Sequence, residues 1–219
     1  MDVKQIFRGV FKIDGRLATP NLVKGRKVYD EELVMTEGKE YRMWNPYRSK
    51  LAAAIINGLK ELEIRPGAKV LYLGAATGTT ASHVSDIVGK SGQVYCIEIS
   101  ERNMRELVKM CEFRENLLPM LQDAQSPEAY AKDADGCDVL YQDVSARAQA
   151  QILLRNAVLL KKGGVAYVAI KSQSIDVVKD PRQVFKEFLE EVKEGFDVLQ
   201  EIGIEPYSRL HLFVALKKK

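Results

Sequence analysis

Two groups of residues could carry chemistry, and they lie 24 positions apart (98 − 74). The first is the loop Gly74-Ala75-Ala76-Thr77-Gly78-Thr79-Thr80, and the second is Glu98. Gly74 and Gly78 give the loop φ freedom and leave no Cβ to hold a ligand off the backbone. Glu98 ends the apolar run Val94-Tyr95-Cys96-Ile97, where an acidic side chain can accept both hydroxyls of a ribose. A phosphate-binding loop needs Gly-Lys-Ser/Thr, and no lysine lies between Lys69 and Lys90. A dinucleotide loop reads G-x-G-x-x-G, whereas those positions here are Gly74, Ala76 and Thr79. The remaining common ligand is S-adenosylmethionine, which is bulky, carries a ribose and has no phosphate. Glu98 alone also suits NAD, and a tight turn without a ligand accounts for the loop taken in isolation.

The elements that must position these residues follow from the apolar pattern. Val70-Leu71-Tyr72-Leu73, led by Pro66-Gly67, reads as a buried parallel strand. Val84, Ile87 and Val88 then recur at helical spacing until Gly89. Strands are predicted at Lys69–Leu73, Gln93–Ile99, Leu117–Gln122, Asp138–Asp143 and Gly164–Ile170. Helices fall near Ala81–Val88, Arg102–Arg114, Ala148–Leu160 and Pro181–Lys193, the last capped by Asp180. Two closing strands, Asp197–Ile204 and His211–Leu216, have no helix between them and should pair antiparallel. This is the α/β plan of a class I S-adenosylmethionine-dependent methyltransferase: a Rossmann-like, mostly parallel seven-stranded sheet with an antiparallel terminal strand. An NAD-binding domain would place a further helix near the end.

Ahead of it, residues 1–44 read as a small N-terminal β-rich domain. Val10–Ile13 alternates and Asp14-Gly15 is a hairpin turn, with further strands predicted at Leu17–Val23, Lys27–Leu33 and Glu40–Trp44. Residues 45–219 form the methyltransferase domain, opening on a helix with Asn45 as cap and Pro46 as first residue. Its apolar stripe is Leu51, Ala54, Ile55, Leu59 and Leu62, with Lys50 beside the stripe.

Composition narrows the function classes. Hydrophobic residues make up 46% of 219 and charged residues 29%, and no apolar run reaches membrane-spanning length. Cys96, Cys111 and Cys137 form no C-x-x-C pair, which suits a reducing, cytoplasmic compartment and gives no zinc site. Only His83 and His211 are available as imidazole ligands, so no His-rich metal centre is expected. A net charge of +3 is modest for a chain that grips RNA unaided.

Several longer motifs carry a family resemblance. Tyr41-Arg42, Trp44-Asn45-Pro46, Arg48-Ser49-Lys50-Leu51-Ala52, Leu71-Tyr72-Leu73-Gly74-Ala75-Ala76 and Ser82-His83-Val84-Ser85-Asp86 resemble archaeal fibrillarin. So do Tyr141-Gln142-Asp143-Val144, Ser174-Ile175-Asp176-Val177, Lys179-Asp180-Pro181 and Glu205-Pro206-Tyr207 with His211, so the resemblance spans essentially the whole chain. It implies an archaeal, cytoplasmic 2′-O-methyltransferase acting on ribosomal and transfer RNA within the box C/D ribonucleoprotein. The partners implied are a box C/D guide RNA, the target RNA, a coiled-coil scaffold protein and a kink-turn-binding protein. The chain departs from the family pattern in five places. Thr77 stands for Ser, Ile99 for Phe, Ser145-Ala146-Arg147 for Ala-Gln-Pro, Gln173 for Arg and Leu210 for Asp.

The resemblance also implies roles. Lys50, Asp143, Lys171 and His211 correspond to the Lys-Asp-Lys-Glu tetrad of RNA 2′-O-methyltransferases, with His in the Glu position as in fibrillarin. A ribose hydroxyl must lose its proton as the methyl is attacked, and a neutral Lys171 amine would take it. Crowding by Lys50 favours the neutral amine and Asp143 opposes it, so the sequence leaves that balance open. The donor pocket implied comprises Gly74, Ala75, Thr79, Thr80, Glu98, Ile99, Asp123, Ala124, Asp143, Val144, Ser145 and Ala146. Taken singly, Lys171 is also a solvated strand flank, Asp143 a helix cap and His211 a strand-edge histidine. His83 is expected to pack or hydrogen-bond beneath the site. An N-methyltransferase would carry Asn/Asp-Pro-Pro-Tyr/Phe where this chain has Tyr141-Gln142-Asp143-Val144, which favours an oxygen nucleophile. Two alternatives stay open: a stand-alone methyltransferase for a small molecule or protein, and a non-catalytic ribonucleoprotein subunit.

Overall fold

The computed structural model describes all 219 residues. Five short strands open the chain: β1 (Val3–Phe7), β2 (Val10–Ile13), β3 (Arg16–Pro20), β4 (Leu33–Thr36) and β5 (Lys39–Met43). They make an antiparallel sheet in the order β1-β2-β3-β5-β4. Asp14 and Gly15 both take positive φ (47° and 80°) and close the β2–β3 hairpin, as their sequence predicts. β1 adds an edge strand that the sequence reading lacks. The strand predicted at Lys27–Leu33 is instead loop until Leu33. The Val28 and Tyr29 N–H groups donate to the Glu31 carboxylate at 2.8 and 2.7 Å, which takes them out of any ladder.

The helix predicted from Asn45 also begins later. Asn45 Oδ1 accepts from Tyr47 N (2.9 Å) and its carbonyl from Arg48 N (3.1 Å), so Asn45-Pro46 builds a turn. The helix α1 (Lys50–Ile56) starts after Ser49, whose Oγ accepts from Ala52 N, and it ends at Asn57. Leu59 remains buried but lies beyond the helix.

From there the chain alternates. It runs β6 (Lys69–Leu73), α2 (Thr79–Val88), β7 (Gln93–Glu98), α3 (Glu101–Cys111), β8 (Leu117–Leu121), α4 (Ala131–Ala134) and β9 (Cys137–Gln142). It continues with α5 (Gln149–Asn156), β10 (Leu160–Lys171), α6 (Ser172–Ile175), α7 (Pro181–Val192), β11 (Phe196–Gly203) and β12 (His211–Lys218). The seven-stranded sheet has the order β11-β12-β10-β9-β6-β7-β8. β12 runs antiparallel to both of its neighbours and the other adjacent strands are parallel, as expected. No helix is long and apolar enough to cross a membrane.

The sheet is covered on both faces, by clusters of 32 and 22 buried residues. The N-terminal sheet's separate hydrophobic cluster has only five buried residues, too few to hold it alone, and Val10, Leu17 and Trp44 join the larger cluster. A buried polar network makes the rest of the joint. Arg42, with no solvent exposure, donates to Glu31 (2.7 Å), Asp86 (2.7 Å) and Ser82 (3.0 Å). Asp86 on α2 also pairs with Arg114 (2.6 Å) and accepts from Leu22 N (3.0 Å). His83 is stacked on Trp44 and hydrogen-bonded to Thr19 and Tyr29, at 2.8 and 2.6 Å. Burial, then the charges of Arg42 and Arg114, keep His83 neutral, its pKa well below the usual 6.5.

Candidate active site

β6, β7 and β8 wind to one side and β9 returns to the other, so the sheet's order reverses between β6 and β9. A crevice opens outside the carboxyl ends of strands at such a point. Here Gly74 leaves β6 directly against the turn after β9. A Cβ at position 74 would meet the Asp143 carbonyl oxygen at 2.8 Å, and Gly74 has φ +80°. Only glycine lets the two strand ends come this close without strain.

The crevice is a cleft of about 400 Å³. Of the expected donor residues, Gly74, Glu98, Ile99, Asp123, Ala124, Asp143, Val144, Ser145 and Ala146 line it. Ala75 does not; it is buried in the core at 4% exposure. Thr80 does not either: its hydroxyl donates to Ser49 Oγ (3.0 Å) and ties α2 to the cap of α1. Thr79 lines a separate cleft. What these threonines leave available is backbone, because Gly78 gives α2 no side-chain cap and the first N–H groups lack intrahelical partners. The lining also includes Ala76, Ile97, Asn103, Gln122, Gln125 and Ile152, which the sequence reading missed. Asn103 and Gln125 follow acidic strand ends, a signal that could have found them.

Glu98 is 7% exposed. Its two oxygens accept from Ala76 N (2.7 Å) and Ser100 N (2.8 Å). Each oxygen therefore keeps one lone pair, the arrangement a vicinal diol needs. Ala76 is held at φ +48°, rare for a residue with a Cβ, and this strained turn aims its N–H at Glu98. Ile99, 66% exposed at the rim, offers an apolar face for a flat base. Asp123 is fixed by Gln125 N at 2.8 Å.

Lys50, Asp143 and Lys171 meet at one edge of this cleft. Asp143 Oδ1 lies 3.0 Å from Lys50 Nζ and 2.8 Å from Lys171 Nζ, and Lys50 also donates to Oδ2 at 3.1 Å. Oδ1 is off the hydrogen-bond axes of both ammoniums, so that contact is charge attraction, not a directed bond. Lys171 Nζ also donates to the Asp143 carbonyl (2.9 Å) and Ser145 Oγ (3.0 Å). Two directed contacts and a carboxylate oxygen 2.8 Å away therefore fix the position of the Lys171 nitrogen at the cleft edge. Lys50 is the first residue of α1, where the helix dipole disfavours a cation. Asp143 offsets that penalty, a placement chosen for something other than helix stability.

His211 completes the group from β12, directly opposite Lys171 in the β10–β12 ladder. Its Nδ1 shares a hydrogen bond with Ser208 Oγ at 2.8 Å. Burial, then the charges of Lys50 and Lys171, lower its pKa below the usual 6.5, and Asp143 opposes them. The imidazole is neutral at physiological pH.

A doubly wound sheet with an antiparallel β12, and a switch-point cleft whose glycine loop carries no phosphate-binding lysine, define a class I S-adenosylmethionine-dependent methyltransferase. The fibrillarin family model matches residues 1–219, and the chain belongs to the fibrillarin family. It is 51% identical over 221 residues to the fibrillarin-like rRNA/tRNA 2′-O-methyltransferase of Pyrococcus furiosus, covering 98% of this chain and 97% of that one. The structure of Aeropyrum pernix fibrillarin with natively bound S-adenosyl-L-methionine superposes with a TM-score of 0.91 at 42% identity, covering 99% of this chain and 98% of that one. The fibrillarin of a fibrillarin/Nop5p complex superposes with a TM-score of 0.91 at 37% identity, covering 99% and 100% of the two chains.

Proposed function

We propose that this chain transfers the methyl group of S-adenosylmethionine to ribose 2′-hydroxyls of ribosomal and transfer RNA, as the catalytic subunit of a box C/D ribonucleoprotein. The guide RNA chooses the target by pairing with it, since base pairing can supply the specificity a weakly basic enzyme lacks. A coiled-coil scaffold protein of the Nop5 kind docks the enzyme, and a kink-turn-binding protein anchors the guide. The particle works in the archaeal cytoplasm. Residues 1–44 act as a small bracing domain and residues 45–219 as the methyltransferase domain.

One observation carries the catalytic reading: two lysines share the single carboxylate of Asp143 at the edge of the donor cleft, with a neutral histidine beside them. The donor, when bound, supplies an electrophilic methyl on a sulfonium. Glu98 holds its ribose, Asp123 and Ala124 its adenine, and the free N–H groups at the start of α2 its carboxylate. Lys171 gives up one proton to solvent before the reaction, and its lone pair then takes the proton of the 2′-hydroxyl. Lys50, 3.0 Å from Asp143, remains beside the carboxylate as its second partner through this. His211, fixed through Nδ1, offers Nε2 to the incoming ribose. The target hydroxyls line the shallow minor groove of an A-form duplex, within reach without strand opening.

Reconstitution with guide RNA, both partner proteins and labelled donor should give methylation at one position fixed by the guide. Methylation that ignores the guide would favour the stand-alone enzyme, and a folded chain that binds no donor would favour the non-catalytic subunit.

A further inference from the structure

A second cleft, of about 420 Å³, lies on the far side of the glycine loop from the donor cleft. Its walls are the loop between β3 and β4, α3 with the turn after it, and the start of α2. The lining holds five cations, Arg26, Lys27, Arg48, Lys109 and Arg114, and one carboxylate, Glu106. Asp30 and Asp86, outside the lining, pair with Arg48 and Arg114, so counting them leaves five minus three, or +2, on this cleft.

Arg26 and Lys27 have no acidic partner, whereas Arg48 lies 3.8 Å from Asp30. Glu106 is taken by Lys109 at 2.9 Å. The Arg26 guanidinium carbon sits over the Phe113 ring, 3.4 Å from its centroid, and no acceptor in the chain takes the guanidinium N–H groups. A stacked guanidinium with a free edge is the geometry that grips phosphate bidentately. Arg114 is 2% exposed and spends Nη1 on Asp86, but its Nη2 is buried with no acceptor. An unpartnered buried guanidinium nitrogen is costly and marks a missing acceptor. Thr77 and Thr79 add hydroxyls from the glycine loop.

We propose that this cleft binds the phosphodiester backbone of the RNA duplex whose ribose is methylated. The proposal rests on the RNA reading above. Arg48 joins the cleft to the reaction centre, because Lys50 is two residues on and so within about 7 Å along the chain. In A-form RNA the 2′-hydroxyls face a groove bordered by phosphates, so an enzyme centred on one ribose meets a phosphate strand at its flank. A lone carboxylate from a protein would engage one wall of the cleft, whereas successive phosphates engage all three.

The test uses the full chain with bound donor and a twelve-base-pair RNA duplex, followed by fluorescence anisotropy from 50 to 200 mM salt. Arg26→Glu and Lys109→Glu, both on exposed side chains, should each weaken binding about tenfold and lower the salt slope by about one. Donor affinity, measured by calorimetry, should not change. Absent duplex binding by the native chain at 50 mM salt, or binding that neither variant alters, overturns the proposal. So does intact RNA binding with loss of binding to the scaffold protein, which would make the cleft a protein-docking surface. In each of these cases guide-directed methylation by the native particle leaves the proposed function standing, so the two failures are distinguishable.

Discussion

Replacing Gly74 by alanine tests whether the approach of β6 to the β9 turn shapes the site. The new Cβ would lie 2.8 Å from the Asp143 carbonyl oxygen and 3.0 Å from its carbon, where ordinary contact starts at 3.4 Å. Relief needs a shift of about 0.6 Å (3.4 − 2.8), and that oxygen is one of the acceptors of Lys171. Overpacking of this kind costs about 1–3 kcal/mol. A side chain at φ +80° adds about 1–2 kcal/mol of left-handed strain. Gly15 separates the two terms: it has the same φ of +80° with nothing within 4 Å of its would-be Cβ. In guanidinium denaturation, Gly15→Ala should therefore lose only the strain, and Gly74→Ala about 1–3 kcal/mol more. A shift of Asp143 should also cost single-turnover methylation roughly tenfold to a hundredfold, since small misplacements at reacting groups are expensive. Equal stability losses in the two variants, with native turnover for Gly74→Ala, would refute the close-approach argument.

Further outcomes follow from the same geometry. Lys171→Arg should lose on the order of a hundredfold or more in single-turnover rate with donor affinity nearly intact, because a guanidinium does not give up its proton. With Lys171 as the base, the native rate should still rise with pH where His211 is already neutral; a rate that levels off at or below pH 6.5 would move the base to His211. Glu98→Ala should weaken donor binding by about 1.5–3 kcal/mol in calorimetry, and an unchanged affinity would remove Glu98 from the site. Arg42→Met should cost about 3–5 kcal/mol, since it strands the buried carboxylates of Glu31 and Asp86; a loss under about 1 kcal/mol in denaturation would show the network to be incidental. His83 binds a proton near pH 6.5 when unfolded but not when folded, so the unfolded chain holds more protons and stability falls as pH drops below 6.5. The slope should approach about 1.4 kcal/mol per pH unit from this residue, and a His83→Gln chain, if folded, should lack that part of it.

Much of this was legible in the residues because the α/β body is written in long apolar runs. Val70–Leu73, Val94–Ile97 and Val139–Tyr141 are strands because they are buried on both faces, and the absent helix between Ile204 and His211 gave the antiparallel pairing. The N-terminal region was harder, since its short segments answer to contacts far away in sequence. Val28 and Tyr29 look β-prone, yet Glu31 captures their N–H groups. Arg42 sits in an alternating strand and gives no hint that it is fully buried, because two of its three partners lie on α2, 40 and 44 residues away. At the site, the strand-end residues meet at one edge of the sheet because a parallel sheet sends every strand end there. The side chains of Thr79 and Thr80 lie outside the lining of the donor cleft, because which wall a side chain joins depends on the turn through Gly78, which spacing does not encode.

The sheet order has a consequence for the birth of the protein. Every ladder partner of β11 lies in β12, and β12 stands between β11 and β10. On the ribosome β11 therefore emerges before the strand it must pair with, and it waits as an unzipped edge with α7 tethered ahead of it. The same insertion that seats β11 brings His211 opposite Lys171. One strand insertion thus closes the sheet and sets two members of the proposed catalytic group side by side.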